Sequence, residues 1–188
     1  MFIDRLKNPQ NCKRQIALIN TLRQLWEQHV TWTRLFIIST ISNLGDLTFT
    51  TQRLLRNPTD FANVLRKYYG ADKAKKFETL LRDHLLIAAK LVSEAKAGNT
   101  KAASEARAKW YSNADDIAEF LSDINPYWDK NQWRNMLYDH LKITEDEATY
   151  RLTAQYAADV LNFDRIENQA LKMADYMAEG IMKQFDLF

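Results

Sequence analysis

Residues 77–92 read FETLLRDHLLIAAKLV, and the apolar positions Phe77, Leu80, Leu81, Leu85, Ala88 and Leu91 return every three or four residues. That period marks one face of an α-helix, whereas a half-buried strand would alternate every two. The same spacing extends outward in both directions. Leu18, Leu22, Leu25, Trp26, Leu35, Phe36 and Ile37 precede it; Trp133, Met136, Leu137, Leu141, Leu152, Tyr156, Phe163, Ile166, Ala170, Met173 and Met177 follow. Good helix formers fill the positions between. Breaks are few: Asn43-Leu44-Gly45-Asp46, Tyr69-Gly70, Gly98-Asn99-Thr100 and Asn125-Pro126. Each suits a helix end followed by a new start, with Gly in the left-handed conformation and Asp or Asn as a cap. The pattern predicts helices near 11–42, 46–69, 72–97, 100–123, 129–158 and 160–184. Connections this short force antiparallel neighbours, so the expected fold is all-α, an up-down helical bundle of about six helices. No linker rich in Pro, Gly or Ser divides residues 1–188, which read as one domain.

Composition closes off several alternatives. With 188 residues, 46% of them apolar and 27% charged, the chain can bury a substantial core and is neither disordered nor fibrous. Four Gly and three Pro argue against folds built on Gly-rich phosphate loops. A lone cysteine, Cys12, excludes an internal disulfide and a Cys-based zinc knuckle. The opening MFIDRLKNPQNCKR lacks the apolar core of a signal peptide. The longest apolar run, around Leu35–Ile38, is far short of the roughly 20 residues that span a bilayer. A cytoplasmic protein without membrane contact is therefore expected. Net charge is +2, with ten Lys/Arg against four Asp/Glu in residues 1–70 and sixteen against twenty thereafter. No compact basic run or basic-aromatic strip accompanies that mild asymmetry, so nucleic acid is not an expected partner.

Three segments align without a gap: LRQLWEQHV (22–30), FETLLRDHL (77–85) and WRNMLYDHL (133–141). Each carries one of the three histidines of the chain, His29, His84 and His140, spaced by 55 and 56. Downstream, NPTDFANVL (57–65) aligns with NADDIAEFL (113–121) at a spacing of 56, and ADYMAEGI (174–181) gives a weaker third copy. The reading is a helical hairpin of about 55 residues repeated in tandem, with units near 13–70, 71–126 and 127–185. Within each stripe the histidine falls on the core side: Phe77, Leu81, His84 and Ala88 step by 4, 3 and 4. If the odd-numbered helices run parallel, the three rings share one height. A slip of four residues would separate them by roughly 6 Å.

Two readings of that layer stand side by side. In one, the histidines are core packing, each bonded to a polar neighbour, in a structural or protein-interaction module. Arg34, Arg53 and Arg56 would then lie on its working surface. In the other, His29, His84 and His140 hold a transition metal (Zn, Fe, Ni or Cu) or a small ligand, because neutral imidazole is a good ligand for each of these ions. Asp159, on the apolar stripe of its helix, could add a carboxylate. No HxxxH, ExxH or HExxH pair is present. The repeated Asn-x-x-Asp, Asn57 with Asp60 and Asn113 with Asp116, reads first as a helix N-terminus, with Asn as cap and the acid near the positive dipole end. Helices two and four would then be broken at those points. Free N–H groups there, helped by Arg34, Arg53 and Arg56, could receive an anion. No nucleophile-base arrangement follows from spacing, nothing specifies a reaction, and a homo-oligomer is left open.

The stretches WEQHVTWTRLFIIS, RLLRNPTDFANVL, DHLLIAAKLVSEAKAG, INPYW and YAADVLNFDRIENQALKMAD resemble a family of small all-helical proteins from Gram-positive bacteria, over nearly the full chain. Some members carry the label acetylglutamate kinase. An amino-acid kinase of that type needs a large α/β sheet with Gly-rich loops, which 188 mostly helical residues with four glycines do not build. The resemblance transfers no site residue.

Overall fold

The structure, a computed structural model, describes residues 9–187. Helices are α1 (Pro9–Ile41), α2 (Leu47–Leu54), α3 (Asn57–Lys96), α4 (Thr100–Ile124), α5 (Lys130–Leu152) and α6 (Tyr156–Gln184). No strand occurs among the described residues. Inside α3, Gly70 takes φ 81 and ψ 175, a conformation closed to most side chains, and the chain folds back there. Across the reversal Thr59 Oγ1 donates to Glu78 at 2.7 Å, and the rings of Phe61 and Phe77 lie 6.0 Å apart. The chain thus makes six antiparallel limbs: α1, α2 with the first part of α3, the second part of α3, α4, α5 and α6.

The apolar stripes meet along one axis. Leu22, Phe61, Leu65, Phe77, Leu121, Trp133, Leu141, Met173 and Met177 are buried in one continuous core. A smaller cluster of Phe36, Ile37, Leu54, Leu85 and Val92 caps one end. Each such side chain contributes about 1.5–3 kcal/mol of transfer free energy, so the stripes rather than the loops hold the bundle together.

The helix near 46–69 is broken just before Asn57, as the Asn-Pro signal predicts, because Pro58 lacks the N–H that would continue the ladder. Three expectations are corrected. Asn57 is not a cap: Arg56 occupies that position without a side-chain cap bond, and Asn57 is fully buried. Asn113 lies in the uninterrupted middle of α4, so helix four has no break to expose N–H groups there. The boundary expected near 159 falls at 153–155, where Ala154 adopts φ 56. A left-handed Ala carries none of the Gly or Asn signal by which such turns are read.

Gly180 shows what close packing demands. A Cβ there would stand 1.9 Å from Nε1 of Trp128, whose N–H donates to Tyr176 O at 3.2 Å. Ala ordinarily favours a helix interior over Gly by about 1 kcal/mol. The expected effect of Gly180→Ala is the opposite sign, a loss of about 1–3 kcal/mol from overpacking. The urea midpoint should fall with its slope unchanged; a midpoint that rises would contradict this packing.

Candidate metal centre

His29 on α1, His84 on the second limb of α3 and His140 on α5 meet in the interior, each 2% exposed. Ring centroids are 6.2 Å apart for His29–His84, 5.6 Å for His29–His140 and 6.3 Å for His84–His140. One nitrogen from each ring lies within 4.8 Å of the others. Three nitrogens sharing one metal at about 2.1 Å would lie roughly 3.4 Å apart. Separations of up to 4.8 Å are wider than that, so coordination would require the nitrogens to draw closer. Trp26, Phe77, Leu81, Leu137 and Trp133 help close a cavity of about 10 Å³ against the rings, the size of one water or one ion.

Neighbouring amides orient the rings. Asn57 Nδ2 donates to Leu25 O at 3.0 Å, leaving Asn57 Oδ1 3.1 Å from His29 Nδ1. Asn113 Nδ2 donates to Leu80 O at 3.1 Å, leaving its Oδ1 3.0 Å from His84 Nδ1. Because each amide nitrogen faces a carbonyl, each amide oxygen must face the ring, and Nδ1 must carry the proton. His84 gives independent support: Trp110 Nε1, a donor only, points at His84 Nε2 at 3.2 Å. Both rings therefore hold an unprotonated Nε2.

At His140 the arrangement is half made. Gln169 Nε2 donates to Met136 O at 2.6 Å, four residues before His140, as Leu25 and Leu80 stand four before their histidines. Gln169 Oε1 and His140 Nδ1 are both buried without a hydrogen-bond partner. Separations between amide and carbonyl residue are 32, 33 and 33.

Of the expected polar neighbours, Asn57 and Asn113 sit at the histidines and the others do not. Arg34 and Asp159 find each other instead, at 2.8 and 2.9 Å, in a buried cluster with Glu147 (2.5 Å from Arg34) and Arg151 (3.3 Å from Asp159). Asp159 is thus neutralised by two guanidinium groups and is no member of the histidine group. Asp60 pairs with Arg56 on the surface, and Asp116 is exposed beside an open cleft. Of the three arginines expected at a working surface, Arg34 is half-buried in ion pairs, Arg53 lies over the Trp32 ring, and Arg56 is exposed and holds Asp60.

Sequence reasoning missed Gln169, Trp110 and Glu147. Gln169 was legible: QALKMADYM (169–177) matches NADDIAEFL (113–121) at a spacing of 56, placing Ala170, Met173, Ala174 and Met177 on Ala114, Ile117, Ala118 and Leu121. The alignment through ADYMAEGI sits one helical turn away from the contact made. Glu147 follows His140 by seven residues on the same face, a position that a core-side acid occupies only with a partner.

No known protein family, curated protein or solved structure matches this chain. Among the described residues, no helix is long and apolar enough to cross a membrane.

Burial sets the charge of the layer. Desolvation pushes the imidazolium of His29 down to about 4 and that of His84 to about 3, His84 being further opposed by His29. Burial, with both other rings facing it, also holds His140 well below the usual range, its ring Nδ1 having no hydrogen-bond partner. Glu147 moves the other way, raised by burial to about 7 despite Arg34. Folded pKa values below the unfolded value near 6.5 mean full stabilisation above that pH and loss below it. Each histidine should remove up to about 1.4 kcal/mol per pH unit as pH falls from 6.5 towards 4, opposed in part by protonation of Glu147. Urea unfolding of metal-free protein at pH 7.5 and 5.5 checks this; equal stabilities would contradict neutral buried rings.

Proposed function

We propose that the protein binds one transition-metal ion (Zn, Fe, Ni or Cu) through Nε2 of His29, His84 and His140. The observation that carries this reading is the pair of amide clamps. Asn57 and Asn113 spend their oxygens on Nδ1, which leaves the opposite nitrogen as a lone pair in the interior. Hydrogen bonds of that kind fix tautomer and ring orientation in histidine metal sites. The depressed imidazolium pKa values keep protons from competing with a metal at neutral pH.

Three neutral ligands leave the charge of a divalent ion uncompensated within apolar walls, and an isolated buried charge is costly. A fourth ligand would therefore be anionic, hydroxide being the simplest. Three protein ligands with one further position is the pattern of sites that exchange a ligand, whereas structural zinc is closed by four. We read the segments near 13–70, 71–126 and 127–185 as copies of one hairpin. The recurring amide-to-carbonyl contacts support that, and Gln169 closing on His140 Nδ1 would complete the third clamp on metal binding.

A second reading, histidines as packing in a structural or interaction module, is favoured by one contact: Trp110 occupies the lone pair of His84 Nε2. The two part on the following experiment. Untagged metal-free protein is titrated with Zn(II) and Co(II), alongside His84→Ala, Gln169→Leu and Trp110→Phe. Metal coordination predicts one ion per chain, loss in His84→Ala, and about 10–100-fold weaker binding in Gln169→Leu. Trp110→Phe should bind at least as tightly as the parent, its His84 lone pair being free. Absence of stoichiometric binding, or binding undiminished in His84→Ala, would leave the packing reading.

A further inference from the structure

One helical turn beyond the histidines lies a second, separate cavity of about 260 Å³. Its walls come from five helices: Phe36 and Ile37 of α1, Leu54 of α2, Leu85 and Val92 of α3, Trp110 of α4, and Ala148 of α5. Thr33, Thr144 and Trp110 line it towards the histidine layer, and each has already spent its donor. Thr33 Oγ1 donates to His29 O and Thr144 Oγ1 to His140 O, both at 2.8 Å, and the Trp110 indole N–H is turned to His84. At the mouth stand Arg107 and Glu145, paired at 2.7 Å. Charge is therefore confined to the rim and already matched there.

We infer that this cavity is a binding site for a small, neutral, mainly apolar molecule of about ten non-hydrogen atoms. Three physical points select that class. Ordered water needs two to four polar partners, and these walls offer few; an engineered dry cavity of about 150 Å³ takes up benzene. A helix is about 10 Å across with its side chains, too wide for a space of this volume, so a docking peptide is excluded. An anion would find no free donor inside, so a carboxylate or phosphate would be buried uncompensated. The site does not depend on whether the histidines bind metal. It does touch them, because Trp110 lines the cavity and bonds His84, so an occupant should be sensed at that indole.

The test titrates metal-free protein with 1-octanol, following the indole N–H resonances of the tryptophans. Two cavity-filling variants at lining residues of different helices, Ala148→Leu on α5 and Ala89→Leu on α3, accompany it. Expected is saturable binding with a dissociation constant on the order of 0.1 mM. The Trp110 resonance should shift more than those of Trp128 and Trp133, which lie outside the cavity. Either folded filling variant should weaken binding at least about tenfold, and filling empty space should not lower its thermal stability. No saturable binding to the parent would overturn the proposal. So would undiminished affinity in a folded variant, or a response at Trp128 and Trp133 rather than Trp110.

Discussion

Burying an imidazole in a helical core is tolerable when the ring is neutral and its N–H has an acceptor. Here Asn57 and Asn113 supply that acceptor, and their own N–H groups are tied to carbonyls of the helix that carries the ring. The amide therefore cannot rotate without breaking a buried bond, and the ring cannot exchange tautomer without facing an oxygen with a lone pair. Ring orientation, proton position and charge state all follow from this one interlock. A partly satisfied buried network is costly, so the open ends at His140 and Gln169 mark where the layer is least settled.

The fold serves that interlock by fixing register. His29, His84 and His140 come from limbs that run in the same direction, while the amides come from the returning limbs between them. A shift of a helix by one turn would move a ring about 5 Å and take its amide out of reach. The reversal at Gly70 and the Trp128–Gly180 contact pin limbs that would otherwise slide along their smooth Ala- and Leu-rich faces. A separate, charged assembly, Arg34 with Glu147, Asp159 and Arg151, keeps its charges compensated among themselves and so leaves the histidine layer without a carboxylate.

Much of this was legible in the residues and some was not. The stripe through Phe77, Leu81, His84 and Ala88 fixes both the helix and the face, and the spacing of 55 and 56 places three rings at one height. Asn57 looked like a cap because Asn-Pro followed by an acid is a local helix-start signal. Its real partners, His29 and Leu25, are 28 and 32 residues away and leave no local trace. Gln169 differs from Asn113 by one methylene and was hidden by a neighbouring alignment one turn along. Ala154 shows the limit of punctuation by Gly and Asn, since an exposed, ordinary residue stands at φ 56 where Ala154 N and Gln155 N close the helix end on Arg151 O and Tyr150 O. Asp159 was rightly placed on the inner face, but a stripe does not say which cation will meet an acid there.

The account rests on rings that are neutral with the proton on Nδ1, and nitrogen-15 NMR of the imidazoles reads that state directly. In metal-free protein at pH 7 and at pH 5.5, His29 and His84 should each show a protonated Nδ1 and an unprotonated Nε2, unchanged between the two pH values. A proton on Nε2 of either ring, or imidazolium at pH 5.5, would contradict it.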